Sequence, residues 1–319
     1  MGGILTVTLN PALDMAAHVP RLEPRGKLRC SNVRMHPGGG GVNVSRTIKR
    51  LGGSSRAVVV VGGALGKAYL GLLEAEGIAV TPHWISGETR QSFSVTEDAH
   101  GKQYRFVLPG PTWTAEEAHA ITTQIIATVD GIGYAVLSGS LPPGSGDDVY
   151  IRLSERLAAY GVRVVVDASG PALEKLVTTR NESVYLLRMN RKEANGIAGD
   201  RIDTQDDALR FADMLVSRGV TRVAVLTLGD EGAVLATAAE RVRVTGPAVE
   251  VVSAIGGGDS FVGALVLALS AGQDIGEACR DGVAAAAATM TTPATELCDR
   301  DMVERLRPKC KIVRAGRAS

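Results

Sequence analysis

Two runs of consecutive glycines, each feeding an apolar helical pattern, are the residues of this chain best placed to do chemistry. The second run reads Ile255-Gly256-Gly257-Gly258-Asp259-Ser260-Phe261 and leads into residues 262–271, which are almost wholly apolar, before Gly272. A helix N-terminus leaves backbone N–H groups unpaired and carries partial positive charge. With no side chains in front of it, an anion such as a phosphate in transfer can lie directly against that backbone. Asp259 then has two possible uses. It can cap the helix and favour its positive end, or it can take a proton from a hydroxyl attacking the phosphate.

The first run is Pro37-Gly38-Gly39-Gly40-Gly41-Val42-Asn43-Val44. Val44, Ile48 and Leu51 follow at helical spacing, and Gly52-Gly53 ends the pattern. Asn43 offers both a donor and an acceptor to a polyhydroxyl ligand, although a glycine-rich turn with no ligand is the plain alternative. Neither run fits G-x-x-x-x-G-K-[ST], and neither is a G-x-G-x-x-G directly after the first strand. A P-loop and a dinucleotide fold are therefore disfavoured.

The elements that must position these runs alternate along the chain. Residues 4–9, 57–61, 134–137, 162–166, 184–187 and 222–228 are short, apolar and rich in Val and Ile, and predict strands. Residues 65–76, 115–129, 148–160 and 204–218 carry helical periodicity. Strands apolar on both faces, alternating with helices, predict a parallel sheet covered on each side. One stretch departs from this. Residues 90–107 alternate around Asp98-Ala99-His100-Gly101, which predicts a hairpin. Residues 15–35 lack a helical period and can add further strands. The two excursions predict a small separate sheet, a lid or a dimer surface, with an edge hairpin of the main sheet as the alternative. One main domain over residues 1–319 is expected, with lid segments at approximately 15–36 and 90–108.

Composition narrows the partners. The 319 residues are 45% apolar, enough for a sizeable core, and Lys+Arg 35 against Asp+Glu 34 leaves a net charge of +1. Aromatics at 4% and a balanced charge argue against nucleic acid. Residues 261–272 form the longest strongly apolar stretch, too short to span a bilayer, and no signal peptide is expected. Cys30, Cys279, Cys298 and Cys310 form no C-x-x-C pair, and the five histidines show no metal spacing. A cytoplasmic protein with free thiols is expected. The 38 glycines exceed the usual ~7% without any collagen period, so the excess is local.

At the glycine runs the sequence resembles a known family. Gly256-Gly257-Gly258-Asp259-Ser260 is similar to the G-A-G-D signature of the PfkB (ribokinase-like) carbohydrate kinases, and residues 37–43 to their amino-terminal glycine signature. Thr8-Leu9-Asn10-Pro11-Ala12-Leu13-Asp14 and Ser138-Gly139-Ser140-Leu141-Pro142-Pro143-Gly144 resemble the sugar-phosphate kinase branch. Gly26-Lys27-Leu28-Arg29-Cys30 and Gln103-Tyr104-Arg105-Phe106-Val107 are similar to its PfkB-type bacterial 6-phosphofructokinases.

The resemblance implies a ribokinase-like three-layer α/β fold with a mostly parallel central sheet and a small β-sheet lid that also joins two copies as a homodimer. It implies ATP and Mg²⁺ as cofactors and a sugar phosphate as substrate. Carried residue by residue, Asp259 is the base, and Gly256, Gly257 and Gly258 hold the transferring phosphoryl group. Asp14, Gly38, Gly39 and Asn43 meet sugar hydroxyls. Arg90, Arg105 and Ser140 hold the substrate phosphate, for which an arginine fork is well suited; without the family the two arginines would read as solvated hairpin charges. Lys27 is the lid lysine reaching the phosphates, with a surface lysine as its alternative. Thr227, Gly229 and Gly232 match the strand-end turn that approaches ATP. Asn190 and Glu193 match the family's N-x-x-E, which organises Mg²⁺ largely through water; an ordinary helix start is the alternative.

Three positions depart from the family pattern. Arg188-Met189 stands where Lys-Pro is usual, Gly257 replaces an alanine, and Ala254 replaces a hydroxyl residue, which weakens the expectation of a monovalent cation. The expected reaction is transfer from MgATP to the free primary hydroxyl of fructose 6-phosphate. Tagatose 6-phosphate and fructose 1-phosphate are the rival substrates. A catalytically weak ligand sensor on the kinase fold is the rival of another class.

Overall fold

The computed structural model describes residues 2–24, 26–293 and 296–316. Its strands are β1 (Gly3–Thr8), β2 (Ala12–Val19), β3 (Ser31–Gly38), β4 (Arg56–Val61), β5 (Ala79–Trp84), β6 (Arg90–Glu97), β7 (Lys102–Val107), β8 (Ile132–Gly139), β9 (Arg163–Ala168), β10 (Val184–Asn190), β11 (Val223–Thr227), β12 (Ala233–Ala236), β13 (Glu240–Thr245) and β14 (Lys311–Gly316). Its α-helices are α1 (Gly40–Arg50), α2 (Gly63–Ala75), α3 (Ala115–Ala127), α4 (Val149–Ala158), α5 (Pro171–Val177), α6 (Arg191–Ile197), α7 (Gln205–Ser217), α8 (Gly257–Ser270), α9 (Ile275–Met290) and α10 (Arg300–Leu306).

The six strands expected from apolar runs all form and lie side by side. The main sheet runs β14-β13-β12-β11-β10-β9-β8-β1-β4-β5, parallel from β11 to β5. Their continuous apolarity follows from cover on both faces: Val164, Val165 and Val166 are all 0% exposed. One face carries α3 to α7, through Ile121, Tyr150, Leu173, Ala194 and Leu215. The other carries α1, α2, α8 and α9, through Val44, Tyr69, Phe261 and Ala284. That is the three-layer architecture expected.

Two parts of the sheet exceed the sequence reading. β5 extends one edge, and β12, β13 and β14 extend the other as an antiparallel meander. α9 was also not foreseen. Its Ala-rich core stretch is buried on several sides, so no polar face marks a helical period.

The excursions pair with each other and not with the main sheet. β3, β2, β6 and β7 form a separate four-stranded sheet in that order, which removes the edge-hairpin alternative. Paired residues share a face, so Ser94 and Arg105 lie on the same side as Asp14 and Ser92. Met35, Met15, Phe93 and Phe106 make a row across the opposite side. Ser92 and Ser94 are buried, while Met35, Phe93 and Phe106 are exposed, so the polar side is turned inward. No described helix is long and apolar enough to cross a membrane.

Candidate active site

Parallel strands expose their carboxyl ends at one edge of the sheet, and ligands bind in the crevice where the strand order reverses direction. Here the reversal falls between β1 and β8. The residues ending β1, β8, β9, β10 and β11 at this edge are Thr8, Gly139, Ala168, Asn190 and Thr227. Both glycine runs arrive at the same place, since α1 packs on β1, β8 and α8.

The helices begin earlier than their apolar periods suggest, inside the glycine runs. The first intrahelical bond of α8 runs from the Ser260 N–H to the Gly256 carbonyl, at 2.9 Å. The N–H groups of Gly257, Gly258 and Asp259 therefore have no intrahelical acceptor. Gly256 turns the chain with φ 80°, a left-handed conformation that suits glycine. Gly257 faces space in which a methyl would fit, its nearest neighbours lying 3.9–4.0 Å from a Cβ placed there. Gly258 does not, because a Cβ there would lie 2.8 Å from both terminal nitrogens of Arg188.

Asp259 opens onto this hole from the first turn of α8, although its surroundings are deep. Burial pushes its carboxyl up to about 7, and nearby Asp167 adds to the rise, against the pull of Asn43, Arg188 and Arg105. Its side chain caps nothing. Instead Asn43 Nδ2 donates to Asp259 Oδ2 at 2.9 Å, which joins the two glycine-led helices through their side chains.

A second group of buried polar side chains lies between α1 and the small sheet. Burial pushes the Asp14 carboxyl up to about 6, against Arg105, Arg90 and Arg46. Gly38 makes room for it, since a Cβ there would fall 1.9 Å from Asp14 Oδ2. Asp14 Oδ1, Thr8 Oγ1 and Asn10 Oδ1 are buried acceptors without a hydrogen-bond partner among the described residues. Unsatisfied buried acceptors are costly, and hydroxyl donors of a bound sugar would satisfy them. Gly39 reaches this corner in a left-handed conformation, φ 122°.

Arg90 is half-buried rather than solvated. It donates to the Asn10 carbonyl through Nε and Nη2 and to the Leu108 carbonyl through Nη1, at 3.1–3.3 Å. Arg105 is exposed and lines a small recess with Asp14, Ser92 and Ser94. Ser140 accepts from Asn10 Nδ2 at 3.2 Å. Lys27 is brought to none of these residues; it is exposed on the connection from β2 to β3.

On the other side of the glycine hole a cavity of about 710 Å³ opens. Val249, Val251, Phe261, Val283 and Met290 line it, together with Asn190, Thr227, Gly229 and Gly232. Asn190 and Glu193 close a capping box at the start of α6: the Glu193 N–H donates to Asn190 Oδ1, and the Asn190 N–H to Glu193 Oε2. The helix-start alternative is thus realised, and it uses one oxygen of each side chain. Arg188 is buried and engaged, donating to Asp167 Oδ1 at 3.0 Å and Thr227 Oγ1 at 2.6 Å. It lines the cavity and also underlies the hole, beneath Gly258.

Asp167 and Arg46 were not singled out from the sequence. Asp167 had a signal, a lone carboxylate closing an apolar parallel strand at its carboxyl end. Arg46 had a fainter one, an arginine between Val44 and Ile48 on the buried side of α1. Asp167, Glu193 and Asp259 outnumber Arg188, and Asp167 opposes ionisation of the other two. This surplus of carboxylate fits a hydrated divalent cation. No group of three acidic, His or Cys residues among the described ones is close enough to hold a metal directly.

Comparison with known proteins agrees with this geometry. Residues 8–302 match the model of the pfkB family carbohydrate kinases. The chain is 37% identical over 302 residues to the ATP-dependent 6-phosphofructokinase isozyme 2 of Mycobacterium tuberculosis (strain CDC 1551 / Oshkosh), covering 95% of this chain and 88% of that one. It is 32% identical over 311 residues to the 1-phosphofructokinase of Bacillus subtilis (strain 168), covering 98% and 99%. Phosphofructokinase-2 from Escherichia coli in complex with substrates and products superposes with a TM-score of 0.89 at 36% identity, over 96% of this chain and 99% of that one. Another structure of that protein is described as its tetrameric inhibited form. The family match spans more than nine-tenths of the chain and falls on both glycine runs, so the chain belongs to the pfkB family of carbohydrate kinases.

Proposed function

We propose that this protein transfers the γ-phosphoryl group of MgATP to the free primary hydroxyl of fructose 6-phosphate. The single observation that carries the chemistry is Asp259, a carboxylate raised to about 7 beside three unpaired N–H groups. A base with that affinity is ionised in part near neutrality and strong enough to accept the hydroxyl proton. The sugar oxygen bonds to the γ-phosphorus as the bond to the ADP oxygen breaks. The proton passes to Asp259 and leaves to water after product release. The N–H groups of Gly257 and Gly258 face the charge that develops on the phosphoryl oxygens.

Asp14, Gly38, Gly39 and Asn43 orient the sugar, while Arg90, Arg105 and Ser140 attract its phosphate. Arg188, Asn190, Thr227, Gly229 and Gly232 bound the nucleotide cavity. Asn190 and Glu193, with Asp167, would hold Mg²⁺ through water; when bound, the ion neutralises charge on the transferring phosphates. Two copies would pair through the exposed row of the small sheet. Free thiols, Cys30 exposed and Cys279, Cys298 and Cys310 buried, suit a cytoplasmic enzyme.

A coupled assay with ATP and a panel of sugar phosphates tests the substrate. Fructose 6-phosphate should give the highest kcat/KM; preference for fructose 1-phosphate would instead support the second reading, which the B. subtilis relative favours. Higher turnover with tagatose 6-phosphate would also displace the first. Asp259→Asn should lower kcat by ~10²–10⁴, and near-normal turnover in that variant would remove the base assignment.

A further inference from the structure

Arg46 is one of the largest fully buried side chains of the molecule, at 2% exposure in the middle of α1. Its Nε and Nη2 grip both oxygens of Glu76 at 2.7 and 2.8 Å, just past the end of α2. That fork fixes where the third nitrogen points. Nη1 donates to Asn43 Oδ1 at 3.2 Å, and the other end of the same amide, Nδ2, donates to Asp259 Oδ2. A guanidinium cannot accept a hydrogen bond and an ionised carboxylate cannot donate one, so only this orientation of the amide satisfies both neighbours.

We propose that Arg46 is a positioning residue: by occupying the Asn43 carbonyl oxygen it forbids the amide to flip, and so keeps an N–H donor on Asp259. The proposal deepens the reading of Asp259 as proton acceptor and rests on it. If the amide flipped, its oxygen would accept a hydrogen bond from the acid form of Asp259 and stabilise the form that cannot act as a base. Arg46 removes that option without touching substrate. Its bidentate hold on Glu76 anchors it to α2, outside the reacting centre.

The other groups facing Asp259 are Asp167 from β9, Arg188 from β10 and Arg105 from β7, and none of them touches this amide. Around Arg46 lie Asp14, which titrates near 6, and His36, held below its usual range first by burial and then by Arg46. Their titrations must therefore be separated from that of Asp259. Carbon-13 spectra of aspartate-labelled protein do so, with the Asp259 carboxyl assigned by its loss in Asp259→Asn.

Arg46→Met removes the fork and its charge, and Arg46→Lys keeps the charge but cannot span Glu76 and Asn43 together. Both should raise the Asp259 midpoint by about one pH unit, the size expected for one charge-assisted hydrogen bond. Both should lower kcat near pH 7 by about fivefold and leave KM for ATP within about twofold. Glu76→Gln, which keeps a bond to Arg46, should lower Tm without moving the midpoint. If the Arg46 variants lose Tm as Glu76→Gln does and the Asp259 midpoint stays put, Arg46 is only a structural ion pair and the proposal fails. Should Arg46→Met not fold, Arg46→Lys decides by the same midpoint. Failure of the base assignment is seen separately, as turnover that survives Asp259→Asn.

Discussion

At the scale of single residues, the site is made of carboxylates held against their ordinary chemistry. Asp259 and Asp14 are raised to about 7 and about 6 from an ordinary 3.8, first by burial in each case. The sign of the consequence for stability follows. A carboxyl raised in the folded state binds its proton more tightly there than in the unfolded chain. Its contribution is complete below about 3.8 and is lost as pH rises through about 7. Asp259→Asn should therefore raise Tm relative to the parent protein at pH 8, by calorimetry, with an advantage that shrinks toward pH 5. An equal effect at both pH values would show that the carboxylate carries no such strain. Activity should run the other way, with kcat/KM for the sugar phosphate falling as pH drops from about 7 to about 6. Asp259 was legible in the sequence because a carboxylate beside a glycine run suited to a phosphate is where a base for phosphoryl transfer is wanted. Asn43 was legible only as a sugar ligand; its bond to Asp259 joins residues 43 and 259 and needed the fold to bring two helices together.

Among the elements, the starts of α1 and α8 and the edges of the small sheet decide what the residues can do. A methyl at Gly38 would displace the Asp14 carboxylate, whose oxygen lies 1.9 Å from the added Cβ. Gly38→Ala should raise KM for the sugar phosphate by about tenfold or more, the scale of one lost hydrogen bond to a charged group, and leave KM for ATP near its parent value. Equal rises for both substrates would place Asp14 outside the sugar site. Gly258→Ala drives a Cβ to 2.8 Å from the Arg188 guanidinium, itself pinned by Asp167 and Thr227. We expect kcat to fall by about tenfold or more while the fold survives; unaltered kcat would mean that Arg188 yields freely. Gly257→Ala, with open space around it, should cost little by the same assay. The paired roles of these glycines were not readable from the run itself, since adjacent glycines look alike until their neighbours across the fold are known.

Over the whole molecule, the small sheet leaves an apolar row in the open. Phe93 and Phe106 stack with centroids 4.9 Å apart, beside Met35 and Met15, and Val33, Tyr104 and Val107 are exposed as well. Exposed apolar surface of this kind marks an interaction face. Under the proposed pairing, Phe106→Asp should convert a dimer to a monomer in sedimentation velocity, with an unchanged far-ultraviolet spectrum. A parent protein that is monomeric at micromolar concentration would refute the pairing. The sequence by itself determined the parallel strands, the helices with polar faces, the β character of the two excursions and the two glycine runs, while their pairing into a separate sheet was settled by the fold. These are set by local periodicity and by residue types that burial or phosphate contact demands. It left the antiparallel β12 to β14 edge, α9, Asp167 and Arg46 unread, because each depends on partners distant in the chain. Only the tertiary structure decided that Asn190 and Glu193 close a capping box, that Arg188 braces Gly258, and that Arg46 reaches Asp259 through one amide. A hydrogen bond acts over about 3 Å, and the chain brings such groups within that distance only when the sheet orders its strands and the helices pack on them.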